Sequence, residues 1–121
     1  MIEFSFTEEQ RLLKNMVKDF VNKELKPIAS KIDKEEQIPR SIIDKMAELG
    51  LFGVSFPEEY GGGGMGKVGY CITLEELSRG CASTTCFMAA HQSIGATAIY
   101  LSGTEEQKTK ISYTISKGKK K

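Results

Sequence analysis

One histidine is the whole imidazole supply of this chain, and its three cysteines, Cys71, Cys81 and Cys86, are odd in number and never spaced C-x-x-C. No metal-ligand set can be drawn from them. No second histidine, lysine-rich pocket or partner cysteine is spaced to activate a thiol, so the three read as buried packing residues in a reducing compartment. An excess of either charge is missing too. With 17 Lys and Arg against 16 Asp and Glu, the formal net charge is +1, which gives no global field for nucleic acid or an anionic membrane. The first ten residues, MIEFSFTEEQ, lack the basic and apolar regions of an export signal, so the expected location is cytoplasmic. One more absence locates the centre of the chain. Gly80 to Thr104 contains no Asp, Glu, Lys or Arg, although 27% of the sequence is charged.

A stretch that avoids charge so thoroughly reads as buried. Ser83 can cap a helix start and Gly103 marks its stop, which predicts one long helix between them. At 100° per residue, Phe87, Ala90, His91, Ile94, Ala98 and Leu101 share one face, and Met88, Ala89, Ala96 and Ile99 make other faces apolar. That pattern predicts a core helix surrounded by others. A membrane span would also fit the length, but Thr84, Thr85, His91, Gln92, Ser93 and Thr97 argue against it.

Around this centre the other elements follow from local signals. Thr7-Glu8-Glu9-Gln10 has the form of a capping box and opens a helix whose apolar stripe is Leu12, Leu13, Met16, Val17, Phe20 and Val21. Pro27 ends or kinks it, with a short continuation through Ile28, Ala29 and Ile32 and a charged connection over Lys31 to Gln37. Pro39 starts a helix carrying Ile42, Ile43 and Met46 and stopped by Gly50. LFGVSFPEEY predicts a packed loop anchored by Leu51, Phe52, Val54 and Phe56. Val68 to Arg79 predicts a further helix with Val68, Cys71, Ile72, Leu74 and Leu77 as its apolar residues, in which Glu75 and Arg79 are placed to pair and the adjacent Glu75 and Glu76 diverge, solvated or ion-paired, rather than act together. A second capping box, Thr104 to Gln107, opens the last helix. Its continuation is ambiguous, because Ile111, Tyr113 and Ile115 alternate at strand period, before a stop at Gly118 and a basic end at Lys119 to Lys121.

The loop Gly61 to Gly66, GGGGMG, can be overlaid with two phosphate motifs, G-x-G-x-x-G and most of a P-loop. Both overlays are poor. Val68 stands where magnesium needs a hydroxyl, and Pro57-Glu58-Glu59 stands where a strand should enter the turn. The simpler reading is a flexible link that lets the chain reverse closely.

Taken together, LGLFGVSFPEEYGG at 49–62, EELSRGCAST at 75–84, His91-Gln92-Ser93-Ile94-Gly95 and GTEEQK at 103–108 resemble the N-terminal helical domain of the acyl-CoA dehydrogenases. Short- and branched-chain and butyryl-CoA enzymes look most similar. The resemblance runs from about Phe6 to Gly118. It implies an all-α fold, an orthogonal or up-down bundle of about five to six helices, with residues 1–121 a single domain. The family's middle β-domain and C-terminal four-helix domain are absent from these residues.

The resemblance further implies FAD as cofactor and acyl-CoA as substrate, desaturated between the α and β carbons, with a glutamate as base and flavin as hydride acceptor. Phe87, Ala90, His91 and Ile94 are then expected to face the acyl chain. His91 also has the alternative of a hydrogen-bonded core residue. No residue here is assigned as the catalytic base or as a metal ligand, and the cofactor-binding residues stay unknown. The chain alone is expected to be inactive, without bound FAD, and to associate with a second copy or a partner flavoprotein. The alternative is a stand-alone helical module that holds an acyl group or docks on a partner dehydrogenase.

Overall fold

The computed structural model describes residues 2–112, with side chains through Lys110. Tyr113, Ile115, the Gly118 stop and the basic end lie outside the described residues. The first capping box forms as expected. The Gln10 amide donates to Thr7 Oγ1 at 3.2 Å and the Thr7 amide donates to Gln10 Oε1 at 2.9 Å, opening α1 (Glu8–Phe20). Pro27 kinks this helix without ending it. Because proline brings no N–H to the carbonyl four residues back, the backbone widens to a π turn over Val21–Leu25 and tightens to a 3-10 turn over Lys26–Ile28. It then resumes as α2 (Ala29–Glu35), so part of the charged stretch expected to be a connection is helical.

α3 (Arg40–Glu48) buries Ile42 and Met46 and stops at Gly50, whose φ of 75° is the left-handed conformation predicted for it. The loop after it packs as expected, with Leu51, Phe52, Val54 and Phe56 all buried. α4 (Gly66–Gly80) lies along α1. A Cβ on Gly80 would come within 2.5 Å of Val21 Cγ1, so glycine permits that approach. Cys81 alone is extended (φ −159°, ψ 112°) and turns the chain from α4 into α5 (Ala82–Ala89). The helix therefore starts before Ser83, which lies inside it and does not cap it.

α5 runs on through a π segment, Ala90–Ala96, into α6 (Thr97–Ser102), giving the single long helix predicted, with Gly103 at its end. Thr104 and Gln107 form the second capping box at α7 (Glu105–Gln107), which continues as a π turn over Lys108–Ser112. The described residues form no strand, and the fold is the all-α bundle expected. Its core gathers Leu13, Val17, Phe20, Val21 and Leu25 with Met46, Phe52, Ile72, Leu77 and Met88.

Three expectations are corrected. Cys71 and Cys86 are exposed, and only Cys81 is buried. On α4 the inward face carries Thr73 and Glu76 with Ile72 and Leu77, whereas Val68 is half exposed. Glu75 and Glu76 do diverge. Glu75 pairs with Arg79 at the surface, while Glu76, with only 3% of its side chain exposed, ion-pairs with Lys14 of α1 at 3.9 Å and Arg79 at 3.7 Å. Third, the long helix is not surrounded, as the next section describes.

Candidate functional site

The long helix buries a row spaced by four: Thr84, Met88, Gln92 and Ala96. Two of these are polar, and polar groups enter a core only with partners. Thr84 donates to Cys81 Sγ at 3.3 Å. Gln92, 1% exposed, has its whole amide engaged. Its Oε1 accepts from the Ser55 amide at 3.1 Å and the Ser55 hydroxyl at 2.9 Å, and its Nε2 donates to the Leu51 carbonyl at 3.1 Å and Met88 Sδ at 3.3 Å. An amide offers two acceptor sites and two N–H donors, so its capacity is filled. This side chain fastens the middle of the helix to the loop over 51–56.

The fastening occurs where the helix departs from α geometry. A π segment puts one extra residue in the turn and is a recurrent feature of functional sites. Here the Thr97 hydroxyl donates to the Gln92 carbonyl, five residues back, at 2.8 Å. Inserting that residue turns Ala98 and Leu101 relative to Phe87 and Ala90, and all of them end on the open side.

That open side is the apolar face read from the sequence. Ala90 and Ala98 are exposed, and Phe87, Ile94 and Leu101 are exposed by 38%, 74% and 72%. The four residues expected to face substrate, Phe87, Ala90, His91 and Ile94, are brought together on one surface. They do not project equally. The half-buried His91 ring lies 4.7 Å from the Phe52 ring, and Phe87 meets Phe52 edge-to-face at 5.9 Å. Phe52 itself is 1% exposed. Ala90 and Ile94 are exposed.

Further along the helix, the Tyr100 ring meets Phe56 at a tilt and Tyr60 edge-to-face, at 5.7 and 5.9 Å, and Lys108 Nζ lies over the Tyr100 ring at 5.8 Å. The Tyr60 hydroxyl donates to Glu105 Oε2 at 3.0 Å. This bond holds the Tyr60 hydroxyl above its usual pKa, with desolvation and the charges of Glu105 and Glu59 adding to it. The same bond, then Lys108, lowers the Glu105 carboxyl. Glu105 therefore contributes stability above the carboxylate's unfolded pKa that is lost as pH falls through its depressed value. Tyr60 contributes below the phenol's unfolded pKa, and that part is lost as pH rises through its raised value. Replacing Tyr60 with Phe is expected to move the Glu105 carboxyl titration up towards the ordinary range, less a remainder held by Lys108. Carbon-detected NMR of the side-chain carboxyl measures the shift, and an unmoved titration would assign the depression to Lys108 alone.

The amides of the glycine loop from Gly61 to Met65 are all engaged within the chain. Gly63 N–H donates to the Gly53 carbonyl at 2.9 Å, Gly64 N–H to Phe56 at 2.8 Å and Met65 N–H to Val54 at 2.9 Å. With these donors spent on the preceding loop, the segment cannot cradle a pyrophosphate. The close chain reversal expected of it is present, but packed in place rather than a flexible link. Among the described residues no group of three or more His, Cys, Asp or Glu could hold a metal ion, and no helix is long and apolar enough to cross a membrane.

The sequence marks Phe52 as a loop anchor and Gln92 as a polar residue of the long helix, but it assigns no part in the site to either, nor to Ser55. The available signal was a glutamine inside a charge-free helix, since an amide buried there needs partners from a neighbouring segment.

Comparison with known proteins agrees with the resemblance. The model of the acyl-CoA dehydrogenase N-terminal domain family matches residues 7–119. The short-chain-specific acyl-CoA dehydrogenase of Clostridium acetobutylicum is 42% identical over 119 residues, covering 98% of this chain and 31% of that protein. The structure of butyryl-CoA dehydrogenase from Megasphaera elsdenii superposes with a TM-score of 0.88 at 30% identity, over 97% of this chain and 31% of the other. A structure described under the electron-transferring flavoprotein of Acidaminococcus fermentans gives 0.91 at 42% identity, over 97% and 31%. The chain thus spans about a third of the length of these relatives.

Proposed function

Because the chain belongs to the acyl-CoA dehydrogenase family and matches its N-terminal domain, we propose that residues 1–121 act as one helical domain that supplies the acyl-chain wall of an FAD-dependent α,β-desaturation of acyl-CoA. The observation that carries this reading is the open apolar row on a helix held rigidly from behind. Phe87, Ala90, His91 and Ile94 are offered to a hydrophobic ligand while Gln92 fixes the opposite face. By the resemblance, FAD sits mainly against the family's other two domains, and neither the glutamate base nor most of the FAD site is assigned to a residue here. The engaged amides of the glycine loop do not fit a phosphate of FAD, so no flavin-binding role falls to them. Alone, the chain is expected to hold no flavin and to cover its open row with a second copy or with a flavin-bearing partner.

The test takes the isotopically labelled chain at a concentration where light scattering shows a monomer, so that the row is uncovered, titrates it with coenzyme A, butyryl-CoA and hexanoyl-CoA up to millimolar concentration and follows its amides by NMR. Shifts are expected at Phe87, Ala90, His91 and Ile94, growing with acyl length and missing with coenzyme A itself. Shifts confined to other elements, or none, would overturn the reading.

A further inference from the structure

The exposed residues of the wall have different supports, and the difference singles out a residue that no ligand would touch. Phe87 and His91, one helical turn apart, both rest on the ring of Phe52. Phe52 is in turn held from both sides in sequence. The Leu51 carbonyl and the Ser55 amide, one residue before it and three after, are the two backbone groups that Gln92 binds. The ring is 1% exposed and belongs to the core, so it cannot drift outward or sink. Interiors are packed densely enough that a change in one buried side chain is passed to those lying on it.

We infer that Phe52 is a specificity-determining positioning residue: its volume sets how far Phe87 and His91 project, and so how long an acyl chain the wall accommodates. This rests on the acyl-wall reading given above. The rings of Phe87 and His91 are the ones that meet Phe52, so the effect is expected at their end of the row. Gln92 is the clamp that makes the setting fixed, because three hydrogen bonds to Leu51 and Ser55 stop the loop from relaxing around a smaller residue at position 52.

The experiment compares the full chain with Phe52→Leu and, in case that variant is poorly folded, Phe52→Met, whose flexible side chain fills gaps more readily. Val17→Ala, a core truncation on α1, serves as the control for general loosening. Dissociation constants for butyryl-CoA and hexanoyl-CoA are read from the same NMR titration, and the quantity used is their ratio. With a smaller or more yielding residue at 52, Phe87 and His91 settle inward. The preference for the longer thioester should then rise about fourfold for each methylene newly buried.

Nuclear Overhauser contacts from the His91 ring to residue 52 report the settling independently of any ligand. An unchanged ratio in both Phe52 variants overturns the inference while leaving the acyl wall intact. An equal rise in Val17→Ala overturns it as well, since loosening anywhere would then suffice. Failure of the unsubstituted chain to respond at Phe87 to Ile94 removes the wall itself, which is a different result from either.

Discussion

Replacing Gln92 with Leu is expected to cost about 1–3 kcal/mol of folding stability from the buried Leu51 carbonyl left without its partner, with a smaller loss from the part-buried Ser55 amide. Leucine nearly fills the space, so little cavity cost enters and the change isolates the hydrogen bonds. The buried Leu51 carbonyl and the part-buried Ser55 amide have Gln92 as partner across 41 and 37 residues of sequence. A leucine offers neither group anything. Against a total stability of about 5–15 kcal/mol this is a large fraction. Denaturant unfolding should show a lower midpoint with a similar slope. A loss under about 0.5 kcal/mol would mean that the loop finds other partners, and that the clamp is not what holds it.

Substituting Gly62 with Ala should be as damaging by another route. A Cβ there would lie 2.1 Å from the Phe56 carbonyl oxygen, 2.5 Å from its carbon and 2.7 Å from Phe56 Cβ. The nearest atoms are backbone, so no rotamer change relieves the clash. The loop must separate from residues 53–56, which strains the bonds that Gly63, Gly64 and Met65 donate across the gap. A loss of about 3 kcal/mol, the upper end for overpacking, is expected. Gly66→Ala makes the informative contrast. That glycine has a φ of 66° with open space around it, so alanine there pays only the left-handed backbone cost of about 1–2 kcal/mol. Thermal melts rank the two, and faster amide exchange of residues 63–65 in Gly62→Ala alone would locate the damage. Equal melting temperatures would show that the glycines serve turn geometry and not close packing.

The four-glycine run was readable as a reversal of the chain but not as a packed one, because the partners of its amides are carbonyls of residues 53–58 and carbonyls leave no mark in sequence. Signals carried wholly by neighbouring residues came through. Thr7 and Thr104 cap their helices, and Gly50 takes the left-handed turn. For the long helix, periodicity grouped Phe87, Ala90, His91 and Ile94 correctly on one face. It could not say which face turns inward. Apolar residues inside is a tendency that a domain presenting an apolar surface reverses, and here Thr84 and Gln92 go in while Ile94 and Leu101 stay out. Exposure of Cys71 and Cys86 follows the same logic. Cysteine is small and apolar enough to sit on either side of a helix, so its type alone did not fix its place.

The buried Glu76 bears on how the chain finds this arrangement. Its carboxylate is interior, while its two cationic partners keep a route to water, the Lys14 side chain being 37% exposed and that of Arg79 58%. Arg79 travels with Glu76 on the same helix, but Lys14 arrives only when α1 docks in one register. Sliding α1 along α4 by one turn, about 5.4 Å, would carry that ammonium out of contact and leave the acid less compensated in an apolar setting, at a cost of several kcal/mol. Hydrophobic residues on the two helices would tolerate such a slip far better, since contact between them is non-directional. The charge thus works as a proofreader of helix docking, rejecting near-native pairings that greasy contacts alone would accept.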